Sequence, residues 1–158
     1  MEPVVTLTAA DAGEVLTLQR AAYVTEAQAH DDVELPPLTQ SLDELVTELA
    51  SPDVIAIGLR SEVGRLVGAV RVQLSPDSVA ELGRLVVVPD LQGQGLGSRL
   101  LQLAEERLPE QVSHLTLFTG ERSAANLRLY ERFGYRETHR TPTPAGYALV
   151  HLSKSIRR

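Results

Sequence analysis

The chain contains no cysteine and no tryptophan among its 158 residues, and aromatic side chains make up only 4% of it. Without thiols there is no disulfide, no thiolate metal site and no cysteine nucleophile, so any group transfer has to proceed without a cysteinyl intermediate. The scarcity of aromatics argues against stacking platforms for bases or sugars. No run of about 18 apolar residues is present, which disfavours a membrane span. The start, Met1-Glu-Pro-Val-Val-Thr, lacks the basic-then-apolar layout of a secretory leader. A cytoplasmic protein with no membrane partner is the expectation. Acidic residues outnumber basic ones by 21 to 15, for a net charge of −6, whereas a nucleic-acid binder needs a basic surface to meet phosphates. No nucleic-acid partner is expected, and the balance suits a cationic small partner.

What is present is 43% hydrophobic residues, spread in short segments with polar punctuation from end to end. This predicts one domain over residues 1–158. A strand is expected at residues 4–8, then a helix capped by Asp11 and running to about Tyr23, with Ala12, Val15, Leu16 and Ala22 buried. From Glu26 to Thr39 the periodicity lapses around a Pro-Pro pair, which reads as a surface loop with at most a helical turn. Ser41 opens a second helix through a Ser-Leu-Asp-Glu capping box, with Leu42, Leu45, Val46 and Leu49 as its apolar stripe.

Residues 54–60 and 65–74 read as a hairpin around Ser-Glu-Val-Gly, and a third strand from about Val79 runs into Leu85-Val-Val-Val, an apolar run expected to be buried on both faces. A helix over 96–108 buries Leu100, Leu101, Ala104 and Leu108; a strand at 115–118 follows, and Ser123 caps a helix that Gly134 terminates. Strands at 135–140 and 147–152 close the chain, and the basic end from Lys154 to Arg158 reads as a solvated tail. The order β-α-α-β-β-β-α-β-α-β-β is that of an α/β fold with a mixed, mostly antiparallel central sheet of six to seven strands and helices on both faces.

One stretch carries chemistry: Arg84-Leu-Val-Val-Val-Pro-Asp-Leu-Gln-Gly-Gln-Gly-Leu-Gly-Ser-Arg99, where a strand turns into a helix. Glycines at 93, 95 and 97 destabilise a helix start, and the physical return is close approach of the backbone to a bound group. Amides of Gln92, Gly93, Gln94, Gly95, Gly97 and Ser98 can converge there on an anion, helped by the positive end of the helix dipole. No Gly-Lys-Ser/Thr follows and the spacing is Gly-x-Gly-x-Gly, so the turn is neither a P-loop nor a dinucleotide fingerprint. A turn that merely packs strand against helix would use the same glycines.

The pattern Val87-x-Pro89-x-x-Gln92-x-x-Gly95-x-Gly97 resembles the acetyl-CoA-binding motif of the GCN5-related N-acetyltransferase (GNAT) superfamily. Downstream, Asn126-x-x-x-Tyr130-x-x-x-Gly134-Tyr135 is similar to the second signature of that superfamily, and the element order matches its fold over nearly the whole chain. The resemblance implies an acetyl-CoA-dependent acyltransferase, with the pantetheine arm lying along the backbone of Leu85, Val86 and Val87, and the Val87 amide facing the acetyl carbonyl. It also implies that Asn126 contacts the cofactor and that Tyr130 lies near its sulfur as general acid. Glu81, near the start of the fourth strand, becomes the candidate base, with an ordinary edge-of-sheet carboxylate as the competing reading. By alternation its side chain shares a face with Gly83, Leu85 and Val87.

The acceptor implied is a primary amine, small molecule or peptide, approached directly in a ternary complex. A non-catalytic acyl-CoA sensor is the alternative, and a homodimer is left open. His30, His114, His139 and His151 show no metal-ligand spacing, so no metal is expected. Glu26, His30, Asp31, Asp32 and Glu34 form an acidic cluster that either attracts a cationic amine or is a solvated loop, while Tyr23, the Leu35-Pro-Pro-Leu38 segment and the 141–146 loop are candidate walls of the acceptor pocket.

Overall fold

A computed structural model of the chain describes residues 3–156. Seven strands form one sheet in the order β1-β2-β3-β4-β5-β7-β6: β1 (Val4–Thr6), β2 (Val54–Arg60), β3 (Leu66–Gln73), β4 (Val79–Val87), β5 (His114–Gly120), β6 (Arg136–Pro142) and β7 (Ala148–Ser155). All neighbours are antiparallel except β4 and β5, whose parallel pairing is served by the crossover helix α4 (Leu96–Glu106). The helices α1 (Ala12–His30), the one-turn α2 (Pro36–Thr39) and α3 (Leu42–Ala50) precede β2, and α5 (Ala124–Arg132) lies between β5 and β6. The expected α/β sheet with helices on both faces is therefore present, and among the described residues no helix is long and apolar enough to cross a membrane.

Two apolar cores occupy the two faces. On one, Leu96, Leu100, Leu101 and Ala104 of α4 pack with Ile57, Val70, Val72, Leu82, Leu115, Leu117 and Leu152, with Tyr130 and Tyr135 at the edge. On the other, Val15, Leu16 and Leu18 of α1 and Leu45 and Leu49 of α3 cover Ala56, Ala69 and Val86. Tyr135 is fully buried and donates its hydroxyl hydrogen to Glu105, which also pairs with Lys154 at 2.7 Å.

The structure corrects several expectations. The first helix continues to His30 instead of stopping near Tyr23, because Ala27 and His30 extend its buried face past the acidic residues, and it ends at Asp31 in a left-handed conformation (φ 49°). Pro36 and Pro37 start α2, where the missing amides cost nothing. The stripe of α3 is narrower than expected, since Leu42 and Val46 are exposed. The run 85–88 is not buried on both faces: Val86 is buried, and Leu85, Val87 and Val88 are half-buried. Lys154 belongs to β7 rather than to a tail, while Arg157 and Arg158 lie outside the described residues.

The predicted capping box at Ser41 is formed: Ser41 Oγ accepts from the Glu44 amide at 3.1 Å, and the Glu44 carboxylate accepts from the Ser41 amide at 2.8 Å. Ser41→Ala leaves both orphan donors of that turn worse served and is expected to destabilise the fold by about 1 kcal/mol, read as a lower urea midpoint with unchanged slope.

Candidate active site

The site begins with an irregularity in β4. Arg84 takes a left-handed backbone (φ 53°), which costs an L-residue roughly 1–2 kcal/mol, and the register of β4 against β3 slips opposite it, between Ala69 and Arg71. Before the slip Gly83 pairs with Arg71; after it Val86 pairs with Ala69 and Val87 with Gly68. Alternation therefore breaks. Glu81 and Gly83 share the α1 face of the sheet, whereas Leu85 and Val87 pack with the α4 core and Val86 with the α1 core. The expectation that Glu81 shares a face with Leu85 and Val87 is overturned by this bulge.

The second consequence is a parting of strands. β4 pairs with β5 only over Val79–Glu81 and His114–Thr116, after which β5 follows β7 and β4 follows β3. Backbone groups on the facing edges beyond Glu81 thus have no strand opposite them. The end of β4 leads through a single turn at Pro89–Leu91 to Gly93 (φ 78°) and Gly95 (φ 84°), and α4 starts at Leu96 without a side-chain cap. Left-handed φ values explain glycine at 93 and 95; Gly97 has ordinary φ, and a Cβ there would lie 3.5 Å from Leu129 of α5. Among the described residues, no carbonyl accepts from the amides of residues 92–98. Seven N–H groups at the start of an 11-residue helix are thus available to an anion, with Arg132 placed 3.5 Å from the Ser98 hydroxyl.

On the α1 side a cavity of about 890 Å³ opens between the helices and the sheet. Of the candidate site residues, Glu81, Leu85, Asn126 and Tyr130 line it together; Val86, Val87 and the glycine turn do not. Its wall includes Tyr23, Asp32, Leu35, Pro36 and Pro37, and opposite them Pro142, Thr143, Pro144 and Ala145, the segments expected to flank an acceptor pocket. The acidic cluster divides: Glu26, His30, Asp32 and Glu34 line the cavity, and Tyr147 donates to Asp32 at 2.7 Å, whereas Asp31 is exposed and does not line it.

Helix α1 presents Gln19, Tyr23, Glu26 and His30 at spacings of four, three and four, so they share one face. The Glu26 carboxylate accepts from the hydroxyl of Ser123 and, at 3.4 Å, from the side-chain amide of Asn126. Ser123 was expected to cap α5; instead its hydroxyl ties α5 to α1. His30 is buried, and its Nε2 accepts from the Arg122 amide at 3.0 Å, so its proton sits on Nδ1, 2.9 Å from the Glu26 carbonyl. Tyr130 is 6% exposed, and its phenol has no hydrogen-bond partner among the described residues. Burial first, then the neighbouring Tyr23 and Glu26, push its pKa well above the ordinary tyrosine range. Burial also raises Tyr23, against the opposing pull of Arg84 and Arg71.

Sequence reasoning missed Arg71 and Arg84, both of which line the cavity. The signal was there: each is a cation inside an otherwise apolar strand, Leu66-Val-Gly-Ala-Val-Arg-Val and Arg84-Leu-Val-Val-Val. Arg71 is 4% exposed, paired with Glu48 of α3 and bonded through Nη1 to Gln19 Oε1 at 3.1 Å. Burial and the neighbouring Arg84 lower its pKa, which Glu48 partly offsets. Among the described residues no metal-binding cluster of His, Asp and Glu is found.

Gly120 of β5 lies against His30: a Cβ there would sit 2.2 Å from the imidazole Nε2. Gly120→Ala is expected to expel His30, break its bond to the Arg122 amide and destabilise the protein by roughly 1–3 kcal/mol. The check is a reduced denaturation midpoint together with new amide-exchange at Arg122.

The acetyltransferase (GNAT) family pattern matches residues 15–135. An aminoalkylphosphonate N-acetyltransferase of Salmonella typhimurium is 32% identical over 104 residues, covering 61% of this chain and 66% of that protein, just under two thirds. An S-(2-succino)cysteine N-acetyltransferase of Bacillus subtilis is 26% identical over 93% of this chain and 92% of its own length. Among solved structures, a ribosomal-protein alanine N-acetyltransferase of Escherichia coli superposes with a TM-score of 0.81 at 22% identity, over 100% of this chain and 96% of that one. The PaiA N-acetyltransferase of Thermoplasma acidophilum, solved with coenzyme A, gives 0.80 at 16% identity over 98% and 99% of the two chains. With its split sheet, its glycine turn and a family match over more than half its length, the chain belongs to the acetyltransferase (GNAT) family.

Proposed function

We propose that the protein transfers an acetyl group from acetyl-CoA to a primary amine by direct attack within a ternary complex. The observation that carries this reading is the turn at residues 92–98, whose free amides stand at a helix start beside the gap between β4 and β5. Such a cradle fits a diphosphate, and the unpaired edge of β4 fits an extended amide-bearing arm, so the residues present suit coenzyme A. The amides of Gln92, Gly93, Gln94, Gly95, Gly97 and Ser98 would hold the diphosphate, and the backbone of Leu85, Val86 and Val87 the arm. When bound, the cosubstrate supplies an activated acetyl thioester.

The remaining chemistry belongs to side chains. A lysine-like amine has a pKa of about 10.4 and arrives charged, so it must lose a proton before its nitrogen can form the new C–N bond. Glu81, exposed at the cavity edge on the α1 face, is the proposed acceptor of that proton, directly or through water. Tyr130 is the proposed donor to the departing sulfur as the C–S bond breaks. Its burial keeps the phenol protonated, which suits an acid and excludes it as base. Asn126, bonded to Glu26, holds the α5 end of the cavity in place. The relatives are named for small amines, an aminoalkylphosphonate and S-(2-succino)cysteine, which supports a small-molecule acceptor here.

Calorimetry is expected to show binding of acetyl-CoA and none of a mononucleotide, and amine-dependent release of CoA separates an enzyme from a passive acyl-CoA sensor. Tyr130→Phe should lower kcat by roughly a hundredfold or more with little change in cosubstrate affinity. Because the phenol pKa is raised, no alkaline limb of kcat below about pH 10 belongs to Tyr130. A limb near neutrality that disappears in Tyr130→Phe defeats the assignment. Glu81→Gln should remove the acidic limb of kcat/KM, and an unchanged profile moves the base elsewhere.

A further inference from the structure

Five carboxylates, Glu26, Asp32, Glu34, Glu48 and Glu81, line the cavity, yet two guanidinium groups among them keep donors that none of these satisfies. Arg71 and Arg84 both line it, and burial, with the charge of Arg84 beside it, works against the charged form of Arg71. Glu48 and Gln19 occupy Nε and Nη1 of Arg71, yet its Nη2, in a side chain only 5% exposed, has no hydrogen-bond partner. The Nε of Arg84 is likewise buried and without a partner. Buried guanidinium donors left unpaired are costly, and proteins retain them where a ligand completes them.

The backbone tells the same story. Arg84 is one of two non-glycine residues with positive φ among those described, and it sits inside a strand, where such strain is unusual and persists at ligand clamps. The bulge turns its side chain to the α1 face, toward Arg71 and Tyr23, instead of the α4 core. Nearby carboxylates do not offer a partner to its Nε: Glu48 serves Arg71, and Glu26 is bonded to Ser123 and Asn126. Glu81 stands three residues earlier, at most about 10 Å along the strand, on the same face.

Resting on the acetyltransferase reading above, we propose that the acceptor is an amine carrying an acid group, and that Arg84 and Arg71 form the subsite that binds its carboxylate or phosphonate while the amine lies toward Glu81. Guanidinium groups match both oxyanions through paired N–H donors, and the short reach from Arg84 to Glu81 suits a small amino acid or aminophosphonate rather than a polyamine. The subsite fixes the acceptor by its anionic end, which leaves the nitrogen free to react.

The test compares β-alanine, aminoethylphosphonate and propylamine as acceptors, following CoA release. The wild type should favour the two acidic amines over propylamine by at least roughly tenfold in kcat/KM. Their relative rates show whether carboxylate or phosphonate is the preferred end. Arg84→Asn, a residue that tolerates left-handed φ, should collapse that preference through a higher KM for the acidic amines, and Arg84→Lys should keep part of it. Binding of methylphosphonate and propionate, followed by NMR of the arginine side chains, supplies a readout without turnover and should be lost in Arg84→Asn. Propylamine accepted as well as β-alanine and aminoethylphosphonate, or a preference intact in Arg84→Asn, overturns the proposal. If no amine releases CoA the acetyltransferase reading falls, and the anion titration still decides the subsite: saturable binding lost in Arg84→Asn upholds it, and no binding overturns it.

Discussion

The left-handed turn of backbone at Arg84 governs the geometry of everything around it. By inserting one residue against β3, it reverses which side chains of β4 face which core, so that Glu81 and Gly83 look into the cavity while Val87 packs against the other face. The same bend carries the end of β4 away from β5 after three paired residues. A regular strand would have closed that gap with ladder hydrogen bonds and filled the face with alternating side chains. The strain is held by the packing on both sides, with Val86 in one core and Val87 against the other.

Around that opening the polar groups are arranged by one helix. Residues 19, 23, 26 and 30 of α1 run down a single face, and each reaches a different part of the molecule: Gln19 meets Arg71, Tyr23 lies near Arg84, Glu26 holds Ser123 and Asn126, and His30 meets the Arg122 amide. A loop at residues 26–30 would have left these groups in water, where such bonds are worth little. Built on a helix and shielded from solvent, they fix the two walls of the cavity relative to each other. Asn126 is thereby positioned by α1 as much as by its own helix.

Charge in this site follows burial. Tyr130 stays protonated because water is excluded, not because a partner holds its proton. Arg71 is kept by Glu48 and Gln19 at the floor of the cavity, and surface pairs such as Arg65 with Asp90 contribute little by comparison because both partners are exposed. Tyr130 and Arg71 are thus groups from which the fold restricts water, in a chain that belongs to the acetyltransferase (GNAT) family.

Much of this was readable from the chain. Periodicity gave the strands, the helices and their order, the glycines at 93 and 95 marked the turn that needs positive φ, and the Asn126–Tyr130 spacing placed both residues on one face of α5. These are local properties, set by neighbours within a few positions. What required the tertiary structure was long-range: the extension of α1 to His30, which packs against Gly120 and Tyr147, ninety or more residues away; the diversion of Ser123 from capping to Glu26; and the change of face within β4. A one-residue slip leaves no mark in a hydrophobic pattern, because the run at 85–88 is apolar on every position. The sequence by itself determined that a strand, a glycine turn and a helix would follow one another at this corner. Only the packed sheet decided which side of the strand each residue would serve, because facing is set by partners that the chain meets after it has folded.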